Sequence, residues 1–380
     1  MLNKSVFEKH LVNDLIPFWN ALCDRENGGF YGSVSSANIV DKSAPKSAVL
    51  QTRILWFYSA CYKKLGNAEL LEYADHQFKF LTEHMIDSAD GGVRWMVNAD
   101  GSINRSEKHT YAQAFTLYAL SCYYSASGNK SALECANRLF NLIETEYKDA
   151  YGYVEQFNLD RLSDTKTRTM NTLLHVIEAY TEYYAAAKTP QAKSALRYSI
   201  ELAGDKAYNP QLHRIECNFG DVMQPVGDML SYGHDIEASW LIDRGCEVLG
   251  CDELTASMAP KLRDVALNVI QKGFIDEGRG GIYYDCKDGI DNKLREWWVM
   301  AEAIVALSHQ YQLYGEPEML VLAENIWAFT EDRLISPYGE WYWGTDESGD
   351  SVRSKSGLVG PWKCPYHNGR MCLEMMERLQ

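Results

Sequence analysis

The stretch SYGHDIEASW, Ser231 to Trp240, sets His234, Glu237 and Trp240 at successive three-residue intervals. On a helix, His234 and Glu237 then share a face, as do Trp298 and Glu302 in WWVMAEAIVAL at a spacing of four. Histidine titrates near neutrality, so one imidazole can remove a proton that another returns. Two further histidines keep similar company: His175 follows Asn171 in MNTLLHVIEAY, and His367 follows Trp362 in GPWKCPYHNGR. Imidazoles without a metal-ligand motif suit proton abstraction beside a carbonyl, and the C2–H of an open-chain sugar aldehyde is such a proton. Glycoside hydrolysis needs two carboxylates flanking a bond, and Glu237 and Glu302 keep that chemistry open. Zinc held by His175, His234 and His367 is a third arrangement, but it would consume the free bases. The expectation is no metal and no cofactor; HExxH, P-loop and GxGxxG motifs are missing from the sequence.

Each of these residues has a plainer reading by itself. A histidine near a helix start caps or packs, Arg53 in QTRILWFY forms a buried ion pair, Asn171 caps, and tryptophans fill the core. Their common phase changes the balance. Glycine–aromatic segments recur as GGFYGSV at Gly28, GGVRWMV at Gly91, YGYVEQF at Tyr151, ECNFGDV at Glu216, GGIYYDC at Gly280 and YGEWYWG at Tyr338. Their spacing of roughly 60 residues belongs to repeat architectures. Helix-length stretches with apolar residues three and four apart flank each one, for example ELLEYADHQFKFLTEHM. The unit is helix, short aromatic hairpin, helix, six times over. The second helices are expected to begin near Ser47, Lys108, Thr167, Tyr232, Asn292 and Gly360. Twelve such helices close into an all-α (α/α)6 barrel, with six inside and six outside, and residues 1–380 read as a single catalytic domain. Arg53, Tyr111 with Gln113, Asn171 with His175, His234 with Glu237 and Trp240, Trp298 with Glu302, and Trp362 with His367 and Arg370 then fall at one height. They would converge on one concave pocket, the usual form of a small-molecule site.

Composition narrows the partners. A hydrophobic share of 46% over 380 residues supports a sizeable core. A net charge of −15 argues against nucleic acid or an anionic membrane as partner. Charges break the apolar runs of MLNKSVFEKHLVNDLIPFW, so no signal-peptide core is expected, and no apolar stretch is long enough to span a bilayer. The 10 cysteines, without a CxxC pair, suit reduced thiols and a cytoplasmic protein. With 10 Trp and 24 Tyr the chain has rings to stack on the apolar faces of a sugar. The expected form is a monomer or weak dimer.

The strings MNTLLHVIEAY, SYGHDIEASWL, WWVMAEAIVAL and GPWKCPYHNGRMCLE resemble the cellobiose 2-epimerases, within the N-acylglucosamine 2-epimerase superfamily of (α/α)6 barrels. The resemblance runs from QTRILW to the C-terminus. It implies reversible C2 epimerisation of the reducing-end glucose in β-1,4-linked disaccharides: cellobiose to glucosyl-mannose, lactose to epilactose. Monosaccharide epimerases and aldose–ketose isomerases share the histidines, and a sugar-binding barrel without catalysis stays open. By resemblance, His234 and His367 match the acid/base pair and His175 the histidine of ring opening. Arg53, Tyr111 and Asn171 match groups that hold the sugar oxygens or the enediolate. Glu237 and Glu302 would orient histidines and bind hydroxyls, Trp298 and Trp362 would bind the sugar, and Trp240 would support the pocket. Met300 departs from the polar residue expected after WWV and could tune the pocket.

Overall fold

The structure is a computed structural model that describes residues 2–157, 167–350 and 356–379. Among them run helices α1 (Lys4–His10) and α2 (Ile16–Asn20), joined by a π-helical turn into one rod, then α3 (Ala48–Leu65), α4 (Ala68–Phe80), α5 (Thr110–Ser127) and α6 (Lys130–Glu146). They are followed by α7 (Met170–Ala187), α8 (Pro190–Leu202), α9 (Tyr232–Leu249), α10 (Asp252–Gly273), α11 (Trp297–Tyr314), α12 (Pro317–Arg333) and α13 (His367–Arg378). Helices α3, α5, α7, α9, α11 and α13 pack in that order into a closed inner ring. Outside it α4, α6, α8, α10 and α12 lie on the inner helix that precedes each, and α1 lies on α13. Counting the α1–α2 rod once gives twelve, the expected (α/α)6 barrel.

Sequence separates the layers. α11 is buried continuously from Trp297 to Gln310, as an all-round apolar helix must be. α6 buries Ala132, Ala136, Leu139, Phe140 and Ile143, a single stripe at three- and four-residue spacing. Inner helices turn into outer ones within a few residues: α3 ends at Gly66 in the left-handed conformation, and Asn67 caps α4. All the long connections therefore lie at the opposite end, where the inner helices begin.

Those connections are the aromatic segments, and they fold as short hairpins. They also stitch neighbouring repeats together. The strand ahead of each inner helix pairs antiparallel with the hairpin of the next repeat: Lys46–Ser47 with Met96–Val97, Lys108–His109 with Gln156–Phe157, and Arg168–Thr169 with Asn218–Phe219. Met229–Ser231 pairs with Asp285–Lys287 and Arg295–Glu296 with Gly344–Thr345. A bridge between Val34 and Val359 closes the circle. The first backbone N–H of four inner helices is consumed the same way, for example Ala48 N to Trp95 O at 2.9 Å and Trp297 N to Trp343 O at 3.0 Å.

Buried cations anchor the hairpins from below. Lys46 pairs with Asp24 at 2.7 Å, both fully buried, and also donates to Gly28 O; Lys108 repeats this with Asp87 and Gly91 O. One helical turn on, the Gln51 and Gln113 amides each bond both backbone groups of Phe30 and Val93. A Cβ on Gly29 would stand 2.8 Å from Gln51 Oε1, and one on Gly92 2.7 Å from Gln113 Oε1, which explains the paired glycines. Met300 occupies this register position on α11. It is fully buried and lies outside the pocket lining, so its departure bears on the hairpin anchor and not on the pocket.

Candidate active site

The first turns of the inner helices enclose a cavity of about 270 Å³ at the hairpin end of the barrel. Arg53 enters from α3, Tyr111 from α5, Asn171 and His175 from α7, His234 and Glu237 from α9, Trp298 from α11, and His367 from α13. Trp362, 41% exposed, stands at the rim on the segment before α13. Glu302, expected to orient a histidine and bind hydroxyls, and Trp240, counted with the substrate-binding group as a support of the pocket, do not line the cavity. They stand behind it: Trp240 Nε1 donates to Glu302 Oε2 at 3.1 Å, and Glu302 Oε1 faces His367 Nδ1 at 2.6 Å. Trp240 lies a further turn down α9, whereas Glu302 shares the register of Arg53, His175 and Glu237 and is screened from the cavity by His367, to which it bonds.

Tyr284, Glu296, Trp297 and Trp343 also line the cavity and were not among the expected residues. Tyr284 and Trp343 lie in the recurring aromatic segments, where alternation alone does not say which ring turns inward. Glu296 accepts from Trp298 Nε1 at 2.9 Å and from Trp343 Nε1 at 3.1 Å, so one carboxylate fixes two aromatic walls. Glu178 and Tyr366, beneath the floor, were missed as well. The i,i+3 spacing from His175 to Glu178 was the available signal, the same one that singled out His234 and Glu237.

The three imidazoles are oriented from behind. Burial opposes ionisation of Glu178, yet Arg370 and His175 hold it down at about 2, so it is a pure acceptor. His175 Nδ1, 2.9 Å from Glu178 Oε2, must then carry the hydrogen. Burial raises the Glu302 carboxyl, but its two oxygens accept from Arg370 Nη2 and Trp240 Nε1, so His367 Nδ1 donates to it and Nε2 presents a lone pair. His234 differs. Its Nδ1 stands 2.8 Å from Ser231 Oγ, which already accepts the His234 backbone N–H as helix cap. The hydroxyl serves either tautomer, donating to a bare Nδ1 or accepting from Nδ1–H on its second lone pair. Burial, with His175 nearby, drives His234 down to about 3. Burial, Arg53 and Arg370 lower His367 as well. Both rings are therefore neutral bases at neutral pH, and both face Trp298, at centroid distances of 4.9 and 5.5 Å.

Arg53 lies between the rings of Phe115 and Tyr366, at 4.1 and 4.3 Å, and donates to Tyr111 Oη at 2.8 Å. Among the described residues it has no carboxylate partner. A buried cation so placed favours an anion in the cavity. Among the described residues Asn171 Oδ1 and Glu237 Oε2 are buried acceptors without a partner, in position for a hydroxyl. Burial and then Glu302 push Glu237 up to about 7. Glu237, Glu302 and His367 bring three ligand-type atoms within 4.8 Å of one another. Arg370 Nη2, at 2.5 and 2.7 Å from the two carboxylates, occupies that focus, so a cation there would have to displace a guanidinium. A second cavity of about 250 Å³ lies below the floor at the other end of the ring; no histidine lines it.

The family model for N-acylglucosamine 2-epimerase (GlcNAc 2-epimerase) matches residues 29–367. A cellobiose 2-epimerase of Ruminococcus albus is 42% identical over 98% of each chain. A solved sugar epimerase from a ruminal bacterium superposes with a TM-score of 0.95 at 40% identity, covering 99% of this chain and 98% of its own. The cellobiose 2-epimerase of Bacillus thermoamylovorans does so with a TM-score of 0.94 at 36% identity, covering 99% of both.

Proposed function

Because the chain belongs to the N-acylglucosamine 2-epimerase family, we propose that it is an isomerase that epimerises C2 of the reducing-end glucose of β-1,4-linked disaccharides. Cellobiose would give glucosyl-mannose and lactose epilactose, with residues 1–380 acting as one catalytic unit. The observation that carries the reading is the pair His234 and His367, which face one cavity across Trp298 with each Nδ1 held from behind, by Ser231 and by Glu302.

The sugar ring opens with His175 at its oxygen. His367, with a lone pair on Nε2, takes the C2 proton, and the electrons of that C–H bond move into an enediolate. Arg53 stabilises the anion; a fixed charge in a dry pocket acts without reorganising. Tyr111 and Asn171 hold its oxygens. Rotation about C2–C3 turns the other face of C2 toward His234, which takes up a solvent proton beside the enediolate anion and passes it from Nε2 to C2, returning to the neutral form. His367 releases the abstracted proton to solvent, so one proton enters and one leaves in each cycle. Trp298 and Trp362 pack on the sugar, while Glu302 and Trp240 hold His367 from behind. Hydrolysis fits less well: Glu237 and Glu302 accept from the same Arg370 nitrogen and stand together, not on opposite sides of a bond.

The test incubates the chain with cellobiose, lactose, mannose and glucose and separates the products by chromatography. New reducing disaccharide is expected, with C2 deuterium when the reaction runs in D2O, and with full rate after exhaustive chelation. Ketose would make the chain an aldose–ketose isomerase, and monosaccharide released from a disaccharide would make it a hydrolase.

A further inference from the structure

Arg370, on the first turn of α13, is buried and does not line the cavity. Its Nη1 donates to Glu178 Oε1 at 2.5 Å and to Tyr366 Oη, and its Nη2 to Glu237 Oε1 at 2.5 Å and Glu302 Oε1 at 2.7 Å. Three carboxylates from three inner helices thus meet one guanidinium supplied by a fourth. Two of them are the carboxylates that hold His175 and His367 by Nδ1. The Tyr366 and Trp240 rings lie 4.2 and 4.9 Å from its Cζ and fix the plane of the fork.

We propose that Arg370 is a positioning residue that sets His175 and His367 together: it aligns the carboxylate behind each ring, and its charge keeps His367 in the neutral, proton-accepting form. The inference deepens the epimerase reading and rests on it, because only there do these two rings act on one substrate. A lysine could not replace the fork. Its ammonium is a compact point charge, whereas the planar guanidinium presents parallel N–H pairs to carboxylates on both sides.

His367 is faced by Arg53 from α3, His175 from α7, His234 and Glu237 from α9 and Glu302 from α11, in addition to Arg370. Removing the Arg370 charge leaves Glu237 and Glu302 unopposed beside the ring. Protonated His367 is then favoured, and its titration moves up.

The experiment compares the full-length chain with Arg370→Gln and Arg370→Lys. It reads the pH dependence of kcat/KM and the 15N spectrum of histidine-labelled protein. In Arg370→Gln the acid limb of kcat/KM and the His367 titration should both rise by at least about one pH unit, the scale for losing a charge at this range. In Arg370→Lys the limb should stay within about 0.3 unit of the parent, because the charge remains. Its kcat should still fall about tenfold or more, with KM less affected and the Nδ1–H signals of both rings displaced, because alignment is lost. A folded Arg370→Gln chain with an unmoved limb would overturn the proposal, and so would full kcat in Arg370→Lys. If Arg370→Gln does not fold, the lysine variant decides alone. A parent chain that converts no sugar sinks the epimerase reading instead, and the His367 titration, which needs no substrate, still decides the role of Arg370.

Discussion

An imidazole that stays neutral down to about pH 3, as His234 does, is available as a base across the whole neutral range. His234→Ala and His367→Ala should each lower kcat by at least about two orders of magnitude, the usual scale for general acid–base groups. His213→Ala, at an exposed ring bonded to Asp264, should leave kcat within about twofold. Equal activity in all three would end the two-histidine mechanism. Glu237 gives a second prediction, of stability. Its carboxyl lies at about 7 in the fold, above the ordinary 4.5. A folded value above the unfolded one means that its contribution is complete below pH 4.5 and is lost as the pH rises through 7. Glu237→Gln keeps an acceptor for Arg370 but cannot ionise. Thermal melts should show the variant gaining on the parent between pH 5 and pH 8, by about 1–3 kcal/mol. A constant difference in Tm would mean that Glu237 is ionised throughout.

At the scale of helices and hairpins, four inner helices end in a left-handed glycine, while α7 ends in Lys188 at φ 52°. Lys188→Gly should relieve that strain and stabilise the chain by about 0.5–1 kcal/mol, which a denaturant titration can read as a higher midpoint. A lower midpoint would show that the Lys188 contact with the Tyr184 ring outweighs the strain. Sequence periodicity locates these helices well, because an inner helix must be apolar all round and an outer one striped. Tyr232 begins α9 as expected, and α3 begins one residue after Ser47. Asn292 and Gly360 fall short of α11 and α13, which begin at Trp297 and His367. There a strand at Arg295–Glu296, and prolines at 361 and 365, keep the chain from turning helical. The candidate site was legible where repeat phase carries it, on the first two turns of the inner helices. It was not legible at Glu296 or Trp343, whose inward direction depends on pairing with another repeat, nor at Tyr366, whose partner Glu178 lies 188 residues away.

At the scale of the molecule, no helix among the described residues is long and apolar enough to cross a membrane. Every group assigned to the proposed reaction comes from this one chain. The closed ring has one further consequence. All six inner helices point their N-termini at the cavity, and each such terminus carries about half a positive charge from its aligned peptide dipoles. Those dipoles oppose, at the cavity, the net charge of −15 that the chain carries as a whole. In the proposed reaction a neutral sugar would gain little from that field and an enediolate oxyanion more, so the barrel frame would favour the transition state over the ground state. The aldonate of cellobiose, with a carboxylate at C1, should therefore inhibit at least about tenfold more tightly than the uncharged alditol of the same length, about 1.4 kcal/mol by competition assay. Equal inhibition would mean that the Glu178, Glu237 and Glu302 cluster cancels the dipoles before they reach the sugar.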